Sequence, residues 1–251
     1  MTVEGKRVFV TGAATGIGSA TATCLIGRGA RVFGAGLDAA DGHELQTTLG
    51  TGFRFRRTDI TCSTEVNDAV SEAVDHLGGL DGVVNCAGIY PTGSRLEELS
   101  DADWDLTVSV NLGSVFRVCR ASLPHLRAAG GGSVVNIASV HAEATVSGVP
   151  AYAATKAGVV GLSRQTALDY AVDMIRVNSL VVGAVATRMG LRDLPDGDPE
   201  AIGLSFERNR IARFAEPAEI ATTIAFLLSD DATFITGSAL RVDGGLLARI
   251  F

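Results

Sequence analysis

Tyr152 and Lys156 stand four residues apart in Tyr152-Ala153-Ala154-Thr155-Lys156, a spacing that puts both side chains on one face of a helix. A free phenol ionises near pH ~10, so alone it is a poor base at neutral pH. A neighbouring ammonium favours the phenolate, as does an oxidised, positively charged nicotinamide ring. Lowering that pKa is what proton exchange with an alcohol requires. Taken by itself, the pair equally describes a core tyrosine beside a lysine whose stem is buried and whose head reaches water. Two polar residues elsewhere sharpen the chemistry. Ser139 closes the apolar run Val134 to Ala138, and strand ends are where an α/β sheet places its ligands; its hydroxyl is a donor for a substrate oxygen. Asn111 interrupts an apolar helical stretch of Val108, Val110, Leu112, Val115 and Phe116. A buried amide must find partners, and a water chain to a lysine would supply them.

A second constellation lies near the N-terminus. Thr11-Gly12-Ala13-Ala14-Thr15-Gly16-Ile17-Gly18 follows a strand-like run and leads into a helical one. Glycines there let the backbone turn tightly and approach a pyrophosphate, which rests on the N–H groups of the helix start. The residue closing the second strand sets dinucleotide choice: an acid accepts from the ribose 2′-OH of NAD, an arginine favours the 2′-phosphate of NADP. In Val32-Phe33-Gly34-Ala35-Gly36-Leu37-Asp38 that position is Gly36, which is neither, with Asp38 two residues on. No basic residue stands in the glycine turn or directly after the second strand, which tilts the choice toward NAD over NADP.

These groups need a frame. The 251 residues are 47% hydrophobic and 20% charged, which argues for a large buried core and against disorder. The net charge of −7 gives no electrostatic reason to bind nucleic acid. Cys24, Cys62, Cys86 and Cys119 form no paired motif, so reduced thiols in a cytoplasmic protein are expected rather than a disulfide framework or a zinc site. His43, His76 and His125 show no metal spacing. No targeting leader is expected ahead of the first strand-like run, and no apolar run is long enough to span a membrane. Strands are expected at 8–11, 31–35, 53–57, 82–85, 133–138, 176–181 and 239–242. Helices are expected over 63–77 with Ser63 as cap, from Ser100 and Asp101 to about 127, over 152–171, and over 217–229 with Pro217 in the first helical position. Strand–helix alternation implies an α/β fold: a Rossmann-type, doubly wound parallel sheet of about seven strands, helices on both faces, in a single domain over 1–251. The irregular stretch 187–216, with the turn signal Pro195-Asp196-Gly197-Asp198-Pro199, is expected to form a substrate lid.

In this order and spacing, the chain resembles the short-chain dehydrogenase/reductase family, its single-domain members of about this length, over essentially the whole sequence. The matching residues are Gly12, Gly16 and Gly18; Asp59; Asn85-Cys86-Ala87-Gly88; Asn111; Ser139; Tyr152 with Lys156; and Asp243-Gly244-Gly245. The resemblance implies an NAD(P)-dependent oxidoreductase acting on a secondary alcohol or ketone, the hydride chemistry belonging to the cofactor. Tyr152 would be the acid/base, Ser139 would hold the substrate oxygen, Lys156 would bind the nicotinamide ribose and lower the tyrosine pKa, and Asn111 would hold a relay water. Gly12, Thr15, Gly16, Ile17 and Gly18 would cradle the pyrophosphate, with Asp38 near the ribose. Asp59 and Ile60 would contact adenine; Asn85, Ala87 and Gly88 would line the adenosine ribose side; Gly183, Val185 and Thr187 would hold the carboxamide. It also implies a homotetramer built through the long helices after the fourth and fifth strands and through the C-terminal region, where Leu246, Leu247, Ile250 and Phe251 form an apolar tail.

Two departures stand out. Gly36 replaces the cofactor-specificity residue, and Val182-Gly183 replaces the usual Pro-Gly, leaving the backbone before the carboxamide site less restrained. His141, Tyr90 and Met189 are candidate substrate contacts, and the lid's Met189, Leu191, Leu194, Ile202, Leu204 and Phe206 suit a fairly apolar substrate. A non-catalytic dinucleotide sensor is the alternative on the same fold, and the presence of both Tyr152 and Lys156 disfavours it. An epimerase or methyltransferase is a further alternative; the absence of a second substrate domain argues against a sugar-nucleotide epimerase.

Overall fold

Every strand of the central sheet runs parallel, in the order β3-β2-β1-β4-β5-β6-β7. The strands are β1 (Arg7–Thr11), β2 (Arg31–Gly36), β3 (Phe53–Arg57), β4 (Gly82–Asn85), β5 (Gly132–Ile137), β6 (Ile175–Val182) and β7 (Ala239–Val242). The computed structural model describes residues 2–192 and 194–249. The strand limits agree with the sequence expectation to within a residue at each end, because strands covered on both faces are apolar without alternation. In β1, Val8, Phe9 and Val10 are all buried although successive side chains face opposite ways.

Eight α-helices run through the described residues: α1 (Gly16–Ile26), α2 (Ala39–Leu49), α3 (Ser63–Leu77), α4 (Asp101–Val108), α5 (Ser114–Ala128), α6 (Pro150–Asp169), α7 (Arg188–Leu191) and α8 (Pro217–Leu228). One face of the sheet carries α1 packed on α8, with Ala22, Leu25, Ile220 and Ile224 in the core. The other carries α3, α5 and α6, through Val66, Val70, Val115, Val118, Leu126 and Val159. The α3 stripe of Val66, Ala69, Val70, Ala73 and Leu77 is buried as its spacing requires.

Three local expectations change. Ser63 is the first residue of α3 and not its cap; Cys62 holds the cap position, and the Ser63 hydroxyl accepts from Arg120 at 3.3 Å instead. The helix 152–171 begins two residues earlier, at Pro150, whose fixed φ suits the first helical turn. The long helix starts as expected, with Ser100 Oγ accepting from the Asp103 N–H at 3.1 Å. It is not uniform, however: a π-helical turn, Ser109–Gly113, joins α4 to α5. Helix α2 has no counterpart among the expected elements, because its sequence is too polar for an apolar stripe and only Gly42 is buried.

The described residues of the stretch 187–216 carry secondary structure of their own. It contains α7, short turns at Pro195–Gly197 and Pro199–Ile202, and bridges pairing Val185 with Ala215 and Ser205 with Arg213. Leu204, Ala212 and Phe214 form its own small core, joined by Leu194 and Leu246, while Met189, Leu191, Ile202 and Phe206 remain exposed. Leu246 and Leu247 pack partly against the main core; Ile250 and Phe251 lie outside the described residues.

Candidate active site

A parallel sheet delivers all of its strand ends to one edge. Strand order reverses there, β2 lying on one side of β1 and β4 on the other, which is the crevice where open α/β sheets bind ligands. The glycine turn, Gly36–Asp38, Asp59–Ile60, Cys86–Tyr90, Ser139–His141 and Gly183–Thr187 all follow C-terminal strand ends along this edge.

The glycine turn is shaped for close approach. Gly12 and Gly16 have φ of 65° and 58°, a conformation favouring glycine. A Cβ on Gly12 would stand 2.8 Å from Ala87 Cα, and one on Gly18 would overlap the Gly12 carbonyl oxygen. Thr15 caps α1 with its backbone alone. The Thr187 methyl stands 3.2 Å from where a Gly16 Cβ would be, so the loop after β6 borders the glycine turn. Thr11 Oγ1 accepts from Cys86 N at 3.1 Å and fastens β1 to the loop after β4. These features fit a dinucleotide: three glycines leave bare backbone at a helix start, which is the chemistry a pyrophosphate requires. Arg188 pairs with Asp41 at 3.1 Å, joining α7 to α2.

The acid/base group is assembled from three elements. Tyr152 and Lys156 lie on α6, Tyr152 in its first turn, where the helix dipole favours an anion. Lys156 is buried and donates to the Ile137 carbonyl at 2.8 Å, at the end of β5. Its Nζ lies 5.5 Å from the centroid of the Tyr152 ring. Burial pulls the Lys156 ammonium down to about 8. Burial also pushes the Tyr152 phenol up to about 12, the Ser139 hydroxyl pulling the other way and Tyr90 adding to the rise. The protein without cofactor therefore holds the phenol protonated, because desolvation outweighs the Ser139 hydrogen bond.

Ser139 is buried two residues beyond β5, and its Oγ accepts from the His141 N–H at 3.3 Å. Asn111 sits in the π-helical turn, and protein groups hold its amide. Oδ1 accepts from Ile89 N at 2.8 Å, and Nδ2 donates to Ile89 O at 2.9 Å and Thr155 Oγ1 at 3.4 Å. A Cβ on Gly88 would lie 3.1 Å from Asn111 Oδ1 and 3.7 Å from Lys156 Nζ. Gly88 thus lets the β4 loop pass directly over both.

The Asn85 side chain is buried within the sheet, donating to Asn136 Oδ1 at 2.8 Å, and Asn136 donates to Ser163 Oγ at 2.9 Å. The side chain braces β4, β5 and α6. Asp59 accepts from Thr61 N and Oγ1 at 2.8 and 2.7 Å, which holds its carboxyl below the usual range. Ile60 is buried beside it. Asp38 is exposed at the start of α2. Gly36 ends β2 opposite Arg57, and a Cβ there would have nothing nearer than 3.8 Å. Gly183 passes close to β7, where its Cβ would meet Asp243 Cα at 2.8 Å; Val185 is buried. Met189 lies exposed on α7, while Tyr90 and His141 join Tyr152 directly. The Tyr90 and Tyr152 rings are 4.6 Å apart edge-to-face, and His141 lies 5.4 Å from Tyr152 and 5.6 Å from Tyr90. Sequence reasoning missed Thr155 and Thr145, the partners of Asn111 and His141. Their signal, a hydroxyl three or four residues from another site residue, is too common to single out.

Comparison with known proteins bears on the same edge. The family model described as Enoyl-(Acyl carrier protein) reductase matches residues 12–247. "Short chain dehydrogenase/reductase astE" of Aspergillus oryzae is 36% identical, over 97% of this chain and 95% of its own. D-threitol dehydrogenase of Mycolicibacterium smegmatis is 37% identical, over 97% and 93%. The crystal structure of 3-ketoacyl-(acyl-carrier-protein) reductase from Brucella melitensis complexed with NADH superposes with a TM-score of 0.90 at 30% identity, over 97% of this chain and 99% of that one. No helix among the described residues is long and apolar enough to cross a membrane.

Proposed function

We propose, because the chain belongs to the short-chain dehydrogenase/reductase family, that Tyr152 exchanges the proton in a hydride transfer between NAD(P) and a secondary alcohol or ketone. The chain is an oxidoreductase acting on CH–OH donors, and this function prevails over that of a non-catalytic sensor. The observation that carries the assignment of residues is the convergence of Tyr152, Ser139 and buried Lys156 at the strand ends beside the glycine cradle.

Gly12, Gly16 and Gly18 hold the pyrophosphate, Asp59 and Ile60 border the adenine, and Val185 and Thr187 border the nicotinamide. The bound cofactor supplies or accepts the hydride. Ser139 donates to the substrate oxygen, one of its two lone pairs occupied by the His141 N–H. Tyr152, protonated, gives its proton to that oxygen in reduction and takes it back in oxidation. Lys156 places its amine beside the phenol, Nζ lying 5.5 Å from the ring centroid. Asn111 holds the loop over Lys156 in place.

NAD is the preferred dinucleotide, on the absence of any base at Gly36 or in the glycine turn. The free thiols of the four cysteines support a cytoplasmic setting. Exposed Phe116 on α5 and Leu168 on α6 support assembly into a homotetramer through those helices, and light scattering at micromolar concentration tests it. The decisive experiment is Tyr152→Phe: the variant binds NAD as the wild type does by calorimetry and loses about a thousandfold or more in kcat. Full turnover in that variant removes Tyr152 from the mechanism.

A further inference from the structure

His141 brings to the Tyr152 cluster a polar atom that hydride transfer does not use. Its ring stands edge-on to Tyr152 at 5.4 Å. On the far side, Nδ1 lies 2.9 Å from Thr145 Oγ1. The Thr145 hydroxyl also stands 3.4 Å from the Val146 carbonyl; in the tautomer with the ring proton on Nδ1, the imidazole donates to Oγ1 and the hydroxyl to that carbonyl. A neutral imidazole protonated on Nδ1 carries a lone pair on Nε2. Burial lowers the His141 pKa and keeps the ring neutral. Among the described residues Nε2 has no hydrogen-bond partner, and it is not one of the sealed polar atoms lacking one, so solvent reaches it. The backbone is fixed as well, because the His141 N–H is bound by Ser139 Oγ. The backbone bond to Ser139 and the edge-on ring contact keep His141 beside Ser139 and Tyr152.

We propose that His141 is a specificity residue whose Nε2 accepts a hydrogen bond from a second hydroxyl of the substrate, on the carbon next to the one that reacts. The substrate class is a vicinal diol on an apolar frame, paired with the corresponding α-hydroxy ketone. This rests on Tyr152 as the proton-exchanging group. The two oxygens of a vicinal diol stand about a hydrogen-bond length apart, so one reaches Tyr152 and Ser139 while its neighbour meets the adjacent ring. A carboxylate has no proton to offer a lone pair, which selects a hydroxyl over an acid at this point. Tyr90, 4.6 Å from Tyr152 on the same cluster, supplies an apolar wall for the carbon frame. A site that binds a substrate hydroxyl discriminates against the analogue lacking it, because its own polar atom is then left unpaired.

The test compares oxidation of 1,2-cyclohexanediol with that of cyclohexanol in wild type, His141→Phe and His141→Gln. The wild type favours the diol in kcat/KM by about tenfold or more. His141→Phe brings the ratio close to one, chiefly through the KM for the diol. His141→Gln, whose amide oxygen accepts a hydrogen bond, restores part of the preference. Calorimetric NAD binding by each variant establishes that its fold and cradle are intact. A wild-type ratio near one, or a ratio unmoved by His141→Phe in an enzyme that still depends on Tyr152, overturns the assignment of His141. Full turnover by Tyr152→Phe overturns instead the reaction on which it rests.

Discussion

Lys156→Met measures what the active site withholds from stability. The ammonium is buried with the Ile137 carbonyl at 2.8 Å, and its pKa falls from 10.5 to about 8. At ~1.36 kcal/mol per pH unit this corresponds to an upper limit of about 3 kcal/mol of destabilisation when the amine is charged. The sign follows from proton counting. Between about pH 8 and 10.5 the unfolded chain binds a proton at Lys156 that the folded chain has released, so wild-type stability rises with pH across that window. Methionine has the same slender stem and no proton to lose. The wild type should therefore gain up to about 3 kcal/mol on the variant between pH 7 and 10.5. The neutral amine still donates to Ile137, so loss of that hydrogen bond in the variant shifts the gap at every pH without changing its slope. Tyr152 works in the opposite sense above pH 10, since its folded pKa of about 12 exceeds the unfolded value, but it does so in both proteins and cancels. Urea denaturation of both at pH 7, 8, 9 and 10 reads the gap. A gap constant with pH, or one widening in favour of methionine, would refute the claim that the ammonium is desolvated.

Other expectations follow from the same geometry. Gly18→Ala drives a methyl into the Gly12 carbonyl oxygen, so it should weaken NAD binding at least about tenfold in calorimetry and lower Tm; an unaltered Kd would mean the turn is not the cradle. Gly36→Asp has room for its Cβ, with the nearest atom at 3.8 Å, and it places an acid at the adenosine ribose. The NAD:NADP ratio of kcat/KM should rise by about tenfold, and an unchanged ratio would show that position 36 does not face the ribose. The chain has three tyrosines. Ultraviolet titration of the protein without cofactor should show one ionising near pH 12, missing in Tyr152→Phe; no difference between the two curves would contradict the buried phenol.

Strand positions were legible because parallel strands buried on both faces leave continuous apolar runs bounded by polar residues, as Val8-Phe9-Val10 and Val134-Val135 do. Helix α2 was not, since it covers the sheet edge with almost no buried side chain and so has no apolar stripe. Among site residues, Tyr152, Lys156 and Ser139 converge as their spacing implied. Asn85 illustrates the limit: which face of a strand end it presents depends on sheet register, and opposite Asn136 its amide serves the sheet. Asn111 shows another. The sequence shows that a buried amide needs partners, but the Ile89 backbone lies across a loop whose path only tertiary structure sets. The phenol's high pKa was also hidden, because the amount of water excluded around a side chain has no sequence signature.

The π-helical turn at Ser109–Gly113 can be restated as a counting mismatch. One helical path runs from Asp101 to Ala128, yet it holds one residue more than an unbroken α-helix between the same two ends would. The surplus residue changes the phase between the two halves by roughly 100°, so α4 and α5 obey different angular registers on a shared axis. Asn111 occupies the seam where neither register applies. Deleting a single residue there would leave the helix as a helix, heal the phase, and swing the amide away from Ile89. The most economical way to disable this loop clamp is thus to make the helix more regular.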